Sequence, residues 1–388
     1  MTRPRRSLIV VVLVALVAVS ACSIAAPPAA SPSGPEKVAI TGKTAGELLA
    51  VYNASQTALG RKDLTGFQAT IDLTRAAFRR CQTEAFDVAA RQGFSPIDAK
   101  IAKVEPYLDT YARAYVGTDA GGYARVYFRR EGVRWIRTEP LDAELGGDRS
   151  QTIEGLRLTY YGIDDDIIGK YAAAGNEVRA FVLKQAEGHT TTGQAFGLRI
   201  FPTRGAAGPN VSCSTAGFHL TNVPSDPFIR IFSNALLFEP DLGGVTESTA
   251  SIVRHEGLHW LQDQFSPDIS ARMPFWMVEG WPDYIGGSRS AATKKSVICN
   301  TATPTYKQLE DGVLQTPETP PELPGQYYSF ANSMVEYVYK TYGPNAYWDL
   351  MTVYRAGVDA RVNLPKVLGV GPDAFYSAWL SWAERTYC

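Results

Sequence analysis

The chain has 388 residues, enough for one large or two ordinary domains. With 45% hydrophobic, 11% aromatic and 20% charged residues it has the make-up of a globular protein, which excludes a disordered chain. Against 39 Asp and Glu stand 38 Lys and Arg, a net charge of −1, and no long basic run interrupts that balance, so nucleic-acid binding through charge is excluded.

Arg3, Arg5 and Arg6 precede an apolar run over residues 8–19. At about 12 residues the run is too short to cross roughly 30 Å of hydrocarbon as a helix, and it has the form of a secretory signal with a charged start. It ends in Val19-Ser20-Ala21-Cys22, which resembles a bacterial lipobox. The resemblance implies a signal peptide over residues 1–21, cut before Cys22. The Cys22 sulfur then carries lipid and anchors the protein in the cell envelope, on the outer side of a membrane. Residues 22–40, rich in Ala, Pro and Ser, cannot build a core and form a tether. Export also governs the other cysteines. Cys81, Cys213, Cys299 and Cys388 are an even number in a compartment that permits disulfides, and all three pairings are open.

From residue 41 to about Val116 the periodicity is helical: Leu48, Leu49 and Tyr52 recur at helix spacing, as do Phe78, Cys81 and Phe86. Gly121-Gly122 open an alternating stretch over 123–128, and a break at Glu131-Gly132 before Val133-Arg134-Trp135-Ile136 predicts a hairpin. A further strand is predicted over 155–161. Helices followed by an antiparallel sheet resemble the cone-shaped fold of the nuclear-transport-factor-like superfamily, a fold that hosts many functions and implies no activity. Asp164-Asp165-Asp166 predicts a helix start, acidic side chains at the positive end of the dipole, with the helix running to about Lys184. Strands are predicted over 197–201 and 229–232. Together these elements predict an α+β chain with a boundary near residues 162–165. An N-terminal α+β domain (41–163) is expected before it and a helix-rich domain (164–388) after it.

His255-Glu256-Gly257-Leu258-His259 carries the chemistry. Residues i and i+4 share a helix face, so both imidazoles can bind one ion, and Glu256 beside them can reach a metal-bound water. Two of the four histidines fall in this pentad. Residues 246–265 read as an amphipathic helix, with Ile252, Leu258 and Leu261 available for packing and Ser251 and Asp263 more polar. A catalytic zinc site needs a third protein ligand and one open position. Glu279, in Trp276-Met277-Val278-Glu279-Gly280, lies 20 positions after His259, room for one helix to end and a second to return a carboxylate.

The two motifs together resemble the gluzincin clan of zinc peptidases, with thermolysin-like spacing and a W-x-x-E-G signature. The resemblance covers roughly residues 165–388. It implies one Zn2+ held by His255, His259 and Glu279, with Glu256 as general base. Asp283, four residues after Glu279, matches an acid that hydrogen-bonds the first ligand histidine in thermolysin-like enzymes. Pro282 then requires the second helix to begin close to Glu279 or to kink. Asn234-Ala235, after the 229–232 strand, resembles the Asn-Ala pair that binds substrate main chain on an edge strand. Tyr328, in a helical run that ends near Gly343-Pro344, matches the catalytic tyrosine of gluzincin aminopeptidases better than Tyr327, and would hold the oxyanion. The Gly-x-Met-x-Asn motif by which those aminopeptidases bind a free N-terminus is absent, which argues for an endopeptidase. The expectation is therefore zinc-dependent hydrolysis of a peptide or protein substrate by a lipid-anchored enzyme. The alternative is a non-catalytic envelope lipoprotein that binds a partner through the same core, and the retention of Glu256 favours the enzyme.

Overall fold

Turn glycines and cross-strand pairing shape the first part of the chain. The computed structural model describes residues 39–388 apart from 191, 193–194, 209–210, 212, 214–216, 220–227, 235, 267–271, 312–322 and 358. Cys22 and Ala235 lie outside the described residues. Helices α1 (Thr44–Gly60), α2 (Leu64–Gln68) and α3 (Ala76–Gln92) lead into strands β1 (Lys100–Tyr107), β2 (Tyr111–Thr118), β3 (Gly122–Glu131) and β4 (Arg134–Thr138). Each of these strands pairs antiparallel with the next. The predicted β3–β4 hairpin forms, with Gly132 at φ +61°, a backbone position that favours glycine.

Two local expectations are corrected here. The helical run expected as far as Val116 ends at Gln92, and residues 100–118 supply β1 and β2 instead. The reason is that β2 is buried along nearly its whole length, so it shows no polar–apolar alternation. Its Arg113 is 8% exposed and is neutralised by Glu105 and by Asp166, whose Oδ2 accepts from Arg113 Nη2 at 2.9 Å. The acidic triplet does not open a helix either. Asp164 belongs to a 3₁₀ turn, is fully buried, pairs with Arg125 of β3 and accepts from Ser233 Oγ at 3.2 Å. Once buried, that carboxylate requires a paired cation, which outweighs any gain from a helix dipole. The helix α4 (Ile168–Ala186) begins only beyond the triplet.

A second sheet contains β5 (Asp148–Ile153), β6 (Leu156–Tyr161), β7 (Gly197–Phe201), β8 (Gly217–His219) and β9 (Phe228–Phe232), in the order β5-β6-β7-β9-β8, with α5 (Arg204–Ala207) after β7. The β6–β7 and β7–β9 pairs are parallel and the two outer pairs antiparallel. Helix α4 is the crossover between β6 and β7. It lies close on the sheet because Gly175 has no side chain: a Cβ there would stand 2.6 Å from both Leu156 Cδ2 and Leu198 Cδ1. Strand β10 (Leu237–Phe238) returns to pair with β3. The boundary expected near residues 162–165 therefore falls inside one compact unit, since both sheets draw strands from either side of it.

The remainder is helical: α6 (Glu247–Phe265), α7 (Phe275–Val278), α8 (Gly280–Ile285), α9 (Ala291–Asn300), α10 (Tyr306–Asp311), α11 (Leu323–Tyr342), α12 (Asn345–Ala356), α13 (Ala360–Leu368) and α14 (Pro372–Tyr387). The class is α+β. Helix α11 ends where predicted, at Gly343 with φ +87°. Two disulfides, Cys81–Cys213 and Cys299–Cys388, settle the pairing left open by the sequence. They close loops of 132 and 89 residues, worth about 4.5 to 5 kcal/mol each on the chain-entropy account. Among the described residues no helix is long and apolar enough to cross a membrane.

Candidate metal centre

Helix α6 carries the pentad. Thr246 caps it, its hydroxyl accepting from Thr249 N at 3.3 Å, and Glu247 occupies the first turn. The helix is not amphipathic as its sequence suggested. Ser251 and every residue from 256 to 263 are buried, because α4, β8 and α8 enclose it. The pentad therefore divides its positions among these neighbours. Gly257 faces α4, where a Cβ would stand 2.9 Å from Val182 Cγ2. A glycine here costs the helix about 1 kcal/mol relative to alanine, but alanine would not fit against α4. Glu256 lies beside β8, its Cγ 3.0 Å from where a Cβ on Gly217 would be. His255 and His259 face α7 and α8.

Helices α7 and α8 are separated at Glu279, which takes φ −95° and ψ −33°. Pro282 consequently falls in the first turn of α8, where its missing N–H would have no helical acceptor. Of the two possibilities that proline left open, the helix starts at Glu279. Gly280 has a separate reason to be glycine: a Cβ there would lie 2.4 Å from the carbonyl oxygen of Ala331. Helix α11 thus touches α8 main chain to main chain, one turn from Tyr328.

His255, His259 and Glu279 converge, and among the described residues they form a group able to hold a metal ion. His259 Nε2 stands 3.1 Å from His255 Nε2 and 3.2 Å from Glu279 Oε2, and His255 Nε2 stands 3.3 Å from the same oxygen. Donors placed about 2.0–2.1 Å from a tetrahedral cation are about 3.3 Å from one another, so the triangle has the dimensions of one face of such a site. The electrostatics agree. Burial pulls His255 down, but Asp283 and Glu279 more than reverse this and it is pushed up to about 10. His259 is likewise raised against its burial by Glu279. Burial would raise Glu279, yet the two histidines hold it well below the usual carboxylate range. The three shifts express one mutual attraction between the two imidazoles and the carboxylate, in which a metal ion would take the place of the imidazole protons.

Asp283 Oδ1 lies 3.6 Å from His255 Nδ1, and Arg289 Nε donates to its other oxygen. Gln262 was missed in the sequence. Its Oε1 accepts from His259 Nδ1 at 3.0 Å, which leaves the Nε2 lone pair facing the triangle. The available signal was its place three residues after His259 on the same helix face. Tyr328 lies against His255, ring centroids 6.2 Å apart, whereas Tyr327 is 3% exposed in the main core. Burial raises the Tyr328 phenol well above its ordinary pKa, and Glu279, Glu256 and Asp283 raise it further.

Asn234 is not brought to the site. Its Nδ2 donates to Glu139 Oε1 at 2.8 Å, and the strand before it, β9, lies between β7 and β8 rather than at an edge. The edge position beside α6 is taken by β8, because the chain between β7 and β9 folds back to pair antiparallel with β9.

No protein-family model matches the chain, and a search of the curated proteins finds no match either.

Proposed function

We propose that this chain is a zinc-dependent hydrolase of peptide bonds, of the gluzincin kind. One observation carries the reading: three donor atoms 3.1–3.3 Å apart, with the Glu256 carboxylate one residue along the same helix from His255. Two imidazoles and a carboxylate in that spacing suit Zn2+, which His255, His259 and Glu279 would hold. When bound, zinc supplies Lewis acidity and brings the pKa of water close to neutrality. Glu256 accepts the water proton at a carboxylate oxygen and returns it to the nitrogen of the leaving amine. Tyr328 keeps its phenolic proton, since its pKa is raised, and donates it as a hydrogen bond to the carbonyl oxygen as negative charge develops there. Asp283 and Gln262 face the Nδ1 atoms of the two histidines and keep both Nε2 atoms turned inward. Strand β8, at the sheet edge beside Glu256, offers main-chain groups to an extended peptide.

Glu256→Gln tests the reading. It is expected to leave zinc content and thermal midpoint unchanged while lowering peptide hydrolysis by about 10²- to 10⁴-fold. Equal hydrolysis by variant and wild type would remove Glu256 as the base. The two disulfides support an exported protein, in keeping with a lipid-modified Cys22 in the cell envelope. The mass of the mature N-terminus tests that anchor independently of the metal site.

A further inference from the structure

The segment that delivers Glu279 also walls a second feature. A cleft of about 1060 Å3 lies against α7, bounded by α10 and by the starts of α13 and α14. That volume is at the upper end for a small-molecule or short-peptide site. Its floor is apolar, built from Met273, Phe275 and Val278, and into it faces Tyr354. Tyr354 is 1% exposed, and its hydroxyl has no hydrogen-bond partner among the described residues. Buried phenols ordinarily have one, so this group points to a ligand.

Four acids, Glu310, Asp311, Asp359 and Asp373, line the cleft beside three cations, Arg272, Lys307 and Arg361. Glu310 and Asp359 act on Tyr354, and Glu310 and Asp373 act on Tyr306, which also lines the cleft. The three cations are exposed, as are Asp311, Asp359 and Asp373, and Glu310 is the half-buried charge of the lining. Arg272 Nη1 donates to the carbonyl of Arg355 at 2.7 Å. Lys307 is 72% exposed at its side chain and pairs with Asp311 and Glu310, and Arg361 is exposed. Phe275 connects the cleft to the metal centre: it lines the one and packs edge-on against Tyr328, centroids 5.6 Å apart, beside the other.

We propose that the cleft is a subsite for a cationic side chain, arginine or lysine, of the peptide substrate. The methylene stem lies on Met273, Phe275 and Val278, and the charged head reaches the Tyr354 hydroxyl and Glu310. An apolar floor combined with an acidic wall fits a long side chain that is hydrocarbon along its stem and charged only at its tip. The assignment rests on the hydrolase reading of the adjacent centre.

Binding tests it without requiring cleavage. The full chain is titrated calorimetrically with N-acetyl-Gly-Arg-Gly-amide and with the Leu and Glu counterparts. The Arg peptide is expected to bind at least about tenfold tighter than either, and Glu310→Gln to weaken it by about tenfold, the worth of one charged hydrogen bond. Tyr354→Phe retains the ring and its packing and is expected to weaken the same peptide severalfold. Equal affinity for the three peptides overturns the subsite, as does unchanged affinity in both variants. Tighter binding of the Glu peptide, through Arg272, Lys307 and Arg361, overturns it too. Selective Arg-peptide binding by a wild type that hydrolyses nothing supports the cleft and removes only the catalytic reading. Hydrolysis indifferent to basic residues removes only the cleft.

Discussion

Replacing Gln262 with leucine is the most informative single change at the metal centre. Gln262 is 2% exposed, and three partners depend on it. Its Oε1 accepts from His259 Nδ1 at 3.0 Å, and its Nε2 donates to the Val278 carbonyl at 3.1 Å and meets the Tyr347 hydroxyl at 3.0 Å. Tyr347 in turn donates to the Met277 carbonyl at 3.1 Å. One side chain therefore ties the second histidine to the main chain that presents Glu279. Leucine keeps the volume and leaves these buried groups without their partner, at about 1–3 kcal/mol for each group that stays unpaired. Tyr347 retains Met277, so the expected loss of stability is about 2–4 kcal/mol. His259 also loses the acceptor that fixes its tautomer, which is expected to weaken zinc binding by about 10- to 100-fold. Denaturant unfolding of the metal-free protein measures the first effect, and competition with a chromogenic chelator the second. Gln262→Glu keeps the acceptor and loses the donor, so it should lose stability with a smaller change in zinc affinity. If Gln262→Leu bound zinc as tightly as the wild type, Gln262 would not orient His259 and this account of the centre would fall.

Tyr328→Phe is expected to lower kcat by about 10²- to 10³-fold with KM and zinc content unchanged, and steady-state kinetics showing no change in kcat would refute its role. Gly280→Ala places a Cβ 2.4 Å from the Ala331 carbonyl oxygen. It should cost about 1–3 kcal/mol and lower kcat as Tyr328 shifts away from Glu279; unaltered unfolding would contradict the close approach of α8 and α11. Asp72 is fully buried; burial alone would raise its carboxyl, but hydrogen bonds from Arg129, Thr74 and Thr138 hold it well below its ordinary value. Because the folded pKa lies below the unfolded one of about 3.9, its contribution is complete above about pH 5 and is lost as pH falls below 4. Asp72→Asn should therefore cost about 2–3 kcal/mol near neutrality and progressively less in acid, as followed by unfolding at a series of pH values. A difference that stays constant down to pH 2 would refute that linkage.

What could be read directly from the sequence was whatever depends on neighbours along the chain. His255 and His259 share a face because a helix repeats every 3.6 residues, and the helix around them was legible over residues 246–265. The β3–β4 hairpin followed from alternation around Glu131-Gly132, and Gly343 marked the end of α11. Glu279 was legible through its motif and spacing, although proximity to both histidines depends on α7 ending and α8 beginning at that residue.

What the tertiary structure alone decided depends on partners distant in sequence. Strands β1 and β2 were read as helix because β2 buries both faces and hides an arginine, paired with Asp166 from beyond the next four strands. Asp164 resembled a helix start until Arg125 was found against it. The expected boundary near residues 162–165 disappeared because β6 pairs with β7 across α4, and parallel pairing leaves no local turn signal. Gln262 and Gly280 were silent for the same reason: one acts through Val278 and Tyr347, the other through Ala331. Asn234 was misplaced because edge or interior position belongs to the sheet and not to the strand. Local periodicity and capping are energies written into consecutive residues, whereas burial, ion pairing and close main-chain approach exist only once remote segments have met.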